Sequence, residues 1–556
     1  MSAIEQAKQL ITSGQLVLDK ALSNLKQASL DGKRVSGKLL DQKQLACYEV
    51  AYCAAELQAA AVYFKYCEAV HAKKGTSDDL RIEDRIALQY AAETLMNCRT
   101  RLNSHRADFG FSREDLQETF NSDAVDDFIN NYLSAECMAT LGKAVIAGDG
   151  FVGDHMLDDE KEMMRETFHQ FAYDVVQPLA EEIHTKDLDI PDEIINPLVE
   201  LGCFGLSIPM QYGGIQPDDR EDNLGMIVVT EELTRGSLGA AGSLITRPEI
   251  LSRALLKGGT EEQKQEWLPK LAQAEVLNAV AVTEPNYGSD VASMKLKATK
   301  TEGGWLLNGE KTWCTFAGKA NVLMTLARTD PDPNAGHRGL TMFLVEKPTF
   351  PGHAFKYTQD SGGVLEGKAI PTIGYRGMHS FTVFYDNVFV PDDHVLGLEE
   401  GVGKGFYYTM AGFAGGRIQT AARATGVMQS AFEQAIKYAQ ERKVFGQAVA
   451  DYQLTLVKIA RMAMLLSVSR QFTYHVARLM DEGKGQMEAS LVKLYSCKSS
   501  EWLCREAMQI HGGMGYAEET MVSRLFIDSR VLSIFEGAEE TLALKVIAKS
   551  LVENAA

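Results

Sequence analysis

The sequence predicts a mainly α-helical protein with a small β domain inserted between helical blocks. Three observations carry this. None of the 14 prolines in the 556-residue chain falls before Pro178, so a long opening is free of helix breakers. Apolar residues step by three and four along much of the chain, the spacing of one helix face. Between 281 and 395 that spacing gives way to short runs divided by glycine turns. The expected order is a helical N-terminal extension (1–150), a helical domain (151–280), the β domain (281–395) and a C-terminal helical bundle (396–556).

In the extension, Leu45, Tyr48, Tyr52, Ala55, Ala59, Val62, Tyr66 and Ala69 mark one buried face of a long helix. Gly75-Thr-Ser-Asp-Asp79 reads as a break and a helix start, with a helix over 81–105 and another from Ser112. Gly148-Asp149-Gly150 is a turn that suits a linker. Gln44-Leu45 with Val50-Ala51 matches in spacing Gln453-Leu454 with Ile459-Ala460. The echo fits either an extension that is a decayed copy of a C-terminal helical bundle or chance similarity between two amphipathic helices.

The next domain opens on an amphipathic helix over 160–183. Arg235 and Arg247 stand in apolar surroundings, where an arginine serves either a structural ion pair or an anionic ligand. In the β domain, 294–300 and 305–311 flank Gly303-Gly304 as a hairpin. Strands are further expected at 322–328, 340–346 and 381–390. The C-terminal part reads as long helices over 417–441, 453–481 and 487–510.

The charge of −19 disfavours nucleic acid and anionic membranes as partners. No apolar run approaches a membrane span, and Met1-Ser-Ala-Ile-Glu-Gln has no signal-peptide pattern. Nine scattered cysteines without a Cys-x-x-Cys pair predict free thiols in a reducing cytoplasm. No metal site is expected.

Two strings in the β domain suggest a flavin. Thr283 and Ser289 place hydroxyls around a Pro/Gly turn, and Trp313 and Thr315 fall two apart in a strand, hence on one face. A flat aromatic with hydrogen-bond donors suits the edge and face of an isoalloxazine. Arg442, near a helix end, answers the helix dipole or grips a pyrophosphate. Gln509-Ile-His-Gly-Gly-Met-Gly515 is a turn where backbone can approach a ligand. Near the C-terminus Glu536 follows Ile534 and Phe535 and precedes Gly537. Apolar neighbours raise a carboxylate's proton affinity, as a general base requires.

These strings together resemble the acyl-CoA dehydrogenase family over roughly residues 155 to 550. Thr-Glu-Pro-x-x-Gly-Ser-Asp, Asn-Gly-x-Lys-x-Trp-x-Thr, Arg-x-x-Phe-Gly, Gly-Gly-x-Gly and Glu-Gly occur in the family's order and spacing. The resemblance implies FAD between the β domain and the bundle, with Thr283, Ser289, Trp313 and Thr315 on the flavin or ribityl chain. It implies that Arg442, Phe445, Gln509 and Gly513 bind the FAD of a neighbouring subunit, so a homo-oligomer follows. Glu536 is the implied base, since the alternative position before Arg417 is Gly416. Ser289 and Arg417 would meet the acyl-CoA.

The sequence departs from the family at Phe535 for Tyr, Ala538 for Thr and Ala414 for Asp, and Tyr287 is bulkier than usual. The N-terminal extension narrows the resemblance to the methylsuccinyl-CoA dehydrogenase branch, whose members oxidise (2S)-methylsuccinyl-CoA to mesaconyl-CoA. That substrate carries a carboxylate which a cation must offset. Arg247 is the first candidate, with Arg235 and Tyr375 behind it. An electron-transferring flavoprotein would take the electrons, and the extension would cover a tetramer surface and leave a dimer. The alternatives are a dehydrogenase or oxidase of another short or branched acyl-CoA, and a flavin-free scaffold.

Overall fold

The computed structural model describes residues 2–75 and 79–556. The chain divides into two compact units. One comprises Met1–Glu162, Thr420–Leu479 and Gly483–Ala556; the other comprises Met163–Gln419 with Met480–Glu482.

In the first unit the extension contributes helices Ala3–Gln27, Gln44–Lys74, Ile82–Ser104, Asp123–Tyr132 and Ala135–Ala147. Of the break expected at 75–79, residues 76–78 lie outside the described residues. The helix after it starts at Ile82, where the Asp84 carboxylate accepts from the Arg81 N–H at 3.2 Å. Ser112 opens only a four-residue helix, Glu114–Gln117.

Helix Gln44–Lys74 is buried almost all round rather than on one face; Cys47, Val50, Cys53 and Leu57 are buried as well as Tyr52 and Ala55. The reason is its position. It packs on Ala3–Gln27 and Ile82–Ser104 and also on C-terminal segments Gln486–Ile510 and Leu542–Ala548. A helix apolar around its circumference belongs at such a centre. The C-terminal helices Gln453–Asp481 and Gln486–Ile510 lie where the periodicity puts them. Gln44 and Gln453, the heads of the two echoing strings, each open a helix. Arg461 joins the bundle to the extension through a two-pronged ion pair with Glu93 at 2.8–3.0 Å.

In the second unit the helix expected over 160–183 is continuous but not uniform. Asp159–Phe171 passes through a wider turn, Ala172–Val176, into Gln177–Lys186. Pro178 has no N–H for an i→i−4 bond, so the ladder loosens just before it. Helices Asn223–Gly236, Thr246–Gly258 and Glu261–Ala272 come next.

The sheet runs in the order 278–281, 322–328, 297–301, 304–315, 380–391, 364–369, 354–358, with 340–346 also paired to 322–328. The hairpin at Gly303-Gly304 and the strands at 322–328, 340–346 and 380–391 match the alternation. Strands Asn278–Ala281, Ala354–Thr358 and Val364–Ala369 are additional. These are short, and 354–369 is mostly polar or glycine, so no apolar run marks it. Among the described residues all nine cysteines are free thiols, eight of them buried. Among them, too, no helix is long and apolar enough to cross a membrane.

Candidate active site

Glu536 occupies a loop of the first unit between helix Met521–Val531 and the turn at Glu539. Its φ is +54° and that of Gly537 is +99°. A non-glycine residue in the left-handed region is held there by its surroundings. Here the restraint comes from one lysine, one arginine and two tyrosines. Lys493, 1% exposed, donates to the carbonyls on both sides of Glu536, Phe535 O at 3.0 Å and Gly537 O at 2.5 Å. The fully buried Arg423 guanidinium lies 4.8 Å from the centre of the Phe535 ring. Glu539 accepts from Tyr48 at 2.5 Å and from Tyr52 at 2.8 Å. Burial alone would raise the Glu539 pKa, but those phenols and Lys498 outweigh it and hold the carboxyl below its ordinary range.

The Glu536 side chain itself makes no ion pair or hydrogen bond among the described residues, nor does its N–H. It is half-buried. Ile534 is 54% exposed, so this apolar neighbour does not close over the carboxylate within one chain. Lys493, Arg423, Tyr48 and Tyr52 are the residues that sequence reasoning missed as site supports. The tyrosines fall on the helix face taken as core, and nothing in the local spacing of the two cations shows that they reach this loop.

The two flavin strings lie in the second unit and are tied together. The Lys311 ammonium is fully buried and donates to Glu284 at 2.9 Å and Val282 O at 3.0 Å. Burial lowers the Lys311 pKa to about 8, with Glu284 opposing the shift. Glu284 also accepts from the Lys295 and Leu296 amides at 2.8 and 2.7 Å, and Thr312 N–H donates to Thr283 O at 2.8 Å. Thus the Glu of one string and the Lys of the other join the two strings.

Simple strand alternation does not place Trp313 and Thr315. The pairing slips between Phe381/Cys314 and Val383/Lys311, so Thr312 and Trp313 share a bulge opposite Thr382. Trp313 has φ +57° and is 55% exposed, whereas Thr315 is buried with Oγ1 2.9 Å from Ser380 Oγ. The bulge aims the indole outward. Thr283 is half-buried and Ser289 exposed.

Arg442 precedes a tight hairpin in the first unit, 443–444 paired with 447–448, and Phe445 lies in its turn. Phe445, at φ +50°, is 100% exposed at its tip. Gln509 ends helix Gln486–Ile510, and Gly513 lies in the turn beyond it, both exposed.

Arg247 begins helix Thr246–Gly258 and is 6% exposed, yet its Nε and Nη1 have no partner among the described residues. Thr246 Oγ1 and Asn278 Oδ1 are likewise buried and unpartnered, while Asn278 Nδ2 donates to Arg247 O at 3.0 Å. Arg235 is instead paired with Glu232 at 3.2 Å. The loop of Tyr375 packs on the turn before Arg247: a Cβ on Gly239 would meet Arg376 O at 2.3 Å. Arg417 rides half-buried on Gly405–Glu441, whose Gly412 lies where a Cβ would meet the Ile250 carbonyl oxygen at 2.7 Å. Close helix approach there demands glycine. Arg247, Tyr375 and Arg417 are therefore carried by segments in mutual contact.

Three family profiles match in succession: acyl-CoA dehydrogenase N-terminal domain over 158–275, middle domain over 279–388 and C-terminal domain over 403–552. The chain belongs to the acyl-CoA dehydrogenase family. It is 42% identical over 414 residues to (2S)-methylsuccinyl-CoA dehydrogenase of Cereibacter sphaeroides, covering 74% of this chain and 72% of that one. Among solved structures it resembles butyryl-CoA dehydrogenase from Megasphaera elsdenii, with TM-score 0.64 and 30% identity over 70% of this chain and 97% of that one. It also resembles a glutaryl-CoA dehydrogenase from Mycobacterium smegmatis in complex with FADH2, with TM-score 0.62 and 27% identity over 72% and 96% of the two chains.

As an acyl-CoA dehydrogenase the protein is an FAD-dependent oxidoreductase acting on CH–CH bonds. Its residues fit that cofactor: an exposed indole fixed at a bulge, hydroxyls beside it, and a fully exposed phenylalanine on a hairpin.

Proposed function

We propose that the protein dehydrogenates a short branched dicarboxylic acyl-CoA, (2S)-methylsuccinyl-CoA, to mesaconyl-CoA. The observation that carries this reading is Arg247. A buried guanidinium with unpartnered Nε and Nη1 is costly unless an anion completes it. A substrate carboxylate supplies two oxygens in the geometry an arginine fork accepts. Tyr375 and Arg417, on the adjoining segments, are assigned to the same substrate. The 42% identity to a methylsuccinyl-CoA dehydrogenase supports the assignment.

In this reading Glu536 removes the proton from the carbon alpha to the thioester. Its carboxylate is free of competing ion pairs, and its unpaired N–H is available to the thioester oxygen as negative charge develops there. Acceptance of the hydride from the beta carbon is the chemistry that FAD would supply there. Thr283, Ser289, Trp313 and Thr315 hold the flavin end. Arg442, Phe445, Gln509 and Gly513 hold the FAD of a second subunit, and the complete enzyme is a homodimer. The reduced enzyme passes electrons to an electron-transferring flavoprotein.

The test is a panel of acyl-CoA thioesters with an artificial electron acceptor. (2S)-Methylsuccinyl-CoA should give the highest kcat/KM, and a higher value for butyryl-CoA or isobutyryl-CoA overturns the substrate. Rapid peroxide formation in air would replace the flavoprotein partner with oxygen.

A further inference from the structure

Away from the residues assigned to chemistry, three loops of the second unit bring two imidazoles and a carboxylate face to face. Asp187 ends helix Gln177–Lys186 in the left-handed conformation. His353 precedes strand Ala354–Thr358, and His379 precedes strand Ser380–Pro391 with φ +34°. His353 Nε2 is 3.1 Å from His379 Nε2, which is 3.2 Å from Asp187 Oδ1, and Asp187 Oδ2 is 3.8 Å from His353 Nε2.

We propose that Asp187, His353 and His379 bind one divalent metal ion of the zinc type. Zinc bonds of about 2.0–2.2 Å set neighbouring ligand atoms of a tetrahedron roughly 3.3–3.5 Å apart, and the three separations bracket that value. The supporting shell is in place. His379 Nδ1 is 3.0 Å from Asp189 Oδ1, while Asp189 Oδ2 accepts from Gly352 N–H at 2.6 Å. A carboxylate on the far nitrogen orients a metal-binding imidazole and raises its basicity. Two cations adjoin the cluster: Arg376, its Nε 3.5 Å from Asp187 Oδ1, and Lys319, which donates to the neighbouring Ile190 O at 2.6 Å and helps lower the Asp189 pKa. Asp187 and Asp189 offset these two charges, so the imidazoles meet no uncompensated cation. The backbone carbonyl of Asp187, 3.0 Å from His353 Nε2, is a further oxygen at the cluster.

Sequence spacing conceals the set, since the ligands are 166 and 26 positions apart. A metal ion here would depart from the expectation, drawn from the sequence, of no metal site. The ion would pin the loop that carries Tyr375 to the end of a helix, and so stiffen one wall of the substrate assignment.

Full-length flavin-loaded protein, stripped with chelator, is titrated with zinc chloride by competition calorimetry. The wild type should take up one equivalent per chain and gain thermal stability. His353→Gln should bind at least ~100-fold more weakly, and Asp189→Asn about 10–100-fold more weakly. The His353 side chain is 50% exposed, so its variant should keep its circular dichroism and flavin content. Cobalt(II) should give the visible bands of a tetrahedral site in the wild type alone. No uptake by the wild type, or equal uptake by His353→Gln, overturns the proposal. The first result would leave a hydrogen-bonded imidazole–aspartate cluster, and the second would put the ion elsewhere.

Discussion

Tyr52 Oη donates a 2.8 Å hydrogen bond to Oε1 of Glu539, three residues past Glu536. Tyr48 donates to the same oxygen at 2.5 Å, and Arg101 packs 4.9 Å from the Tyr52 ring centre. The N-terminal extension thereby reaches the loop that presents the assigned base. Tyr48→Phe/Tyr52→Phe removes two hydrogen bonds to a charged acceptor, each worth about 1.5–3 kcal/mol. Turnover should fall at least tenfold with flavin content unchanged. Full turnover in the double variant would show that Lys493 and Arg423 hold the loop alone.

Glu536→Gln keeps the shape of the side chain and removes the base. Turnover should drop by about 10²–10⁴-fold, the usual contribution of a positioned base. The visible flavin spectrum should persist. Activity near that of the wild type would move proton abstraction to another residue.

Arg247→Ala should raise the KM for (2S)-methylsuccinyl-CoA far more than that for butyryl-CoA, which has no carboxylate. Arg247→Lys restores charge but not the fork, and should recover only part of the loss. An equal KM change for both substrates would remove Arg247 from carboxylate recognition. Circular dichroism of each variant separates that result from misfolding.

Glu232 sets an acid limit on stability. Burial alone would raise its pKa, but His169 at 3.2 Å, Arg235 at 3.2 Å and Arg165 at 3.9 Å bring it down to about 2. A depressed carboxylate adds stability that is complete above its unfolded value near 4.5 and is lost as pH falls toward 2. The contribution is on the order of 3 kcal/mol. The Tm gap between wild type and Glu232→Gln should therefore be wide at pH 6 and shrink steadily below pH 4.5. A gap independent of pH would mean that packing, not charge, makes Glu232 matter.

Phe445→Ser should loosen FAD retention at high dilution without unfolding the chain, because the ring is fully exposed within one subunit. Light scattering of the wild type should report a dimer. A monomer that keeps its flavin would sink the shared-site assignment.

Helical blocks were legible because apolar residues recur over many turns with no proline to break them, as in Gln453–Asp481. The central strands were legible through alternation and the Gly303-Gly304 turn. The family was legible because its strings sit at local turns and strand ends, where neighbouring residues do the work. Alternation failed at Trp313, since one extra residue in a bulge reverses the face of every later side chain in the strand. It also gave no sign of strands Ala354–Thr358 and Val364–Ala369, which pair with each other and with 381–386 but carry too few apolar residues for alternation to mark them.

What the sequence determined by itself was thus the order of helical and β segments, the family, and the chemical identity of a carboxylate beside a glycine. Only the tertiary structure decided what holds that carboxylate and what remains unpartnered. Lys493 reaches across 42 positions to Phe535, Tyr52 across 487 to Glu539, and Arg247 keeps a buried guanidinium without an acid. Local periodicity reports which side of an element is apolar. Ion pairs and hydrogen bonds between distant segments depend on where the folded chain brings them, and no local pattern encodes that distance.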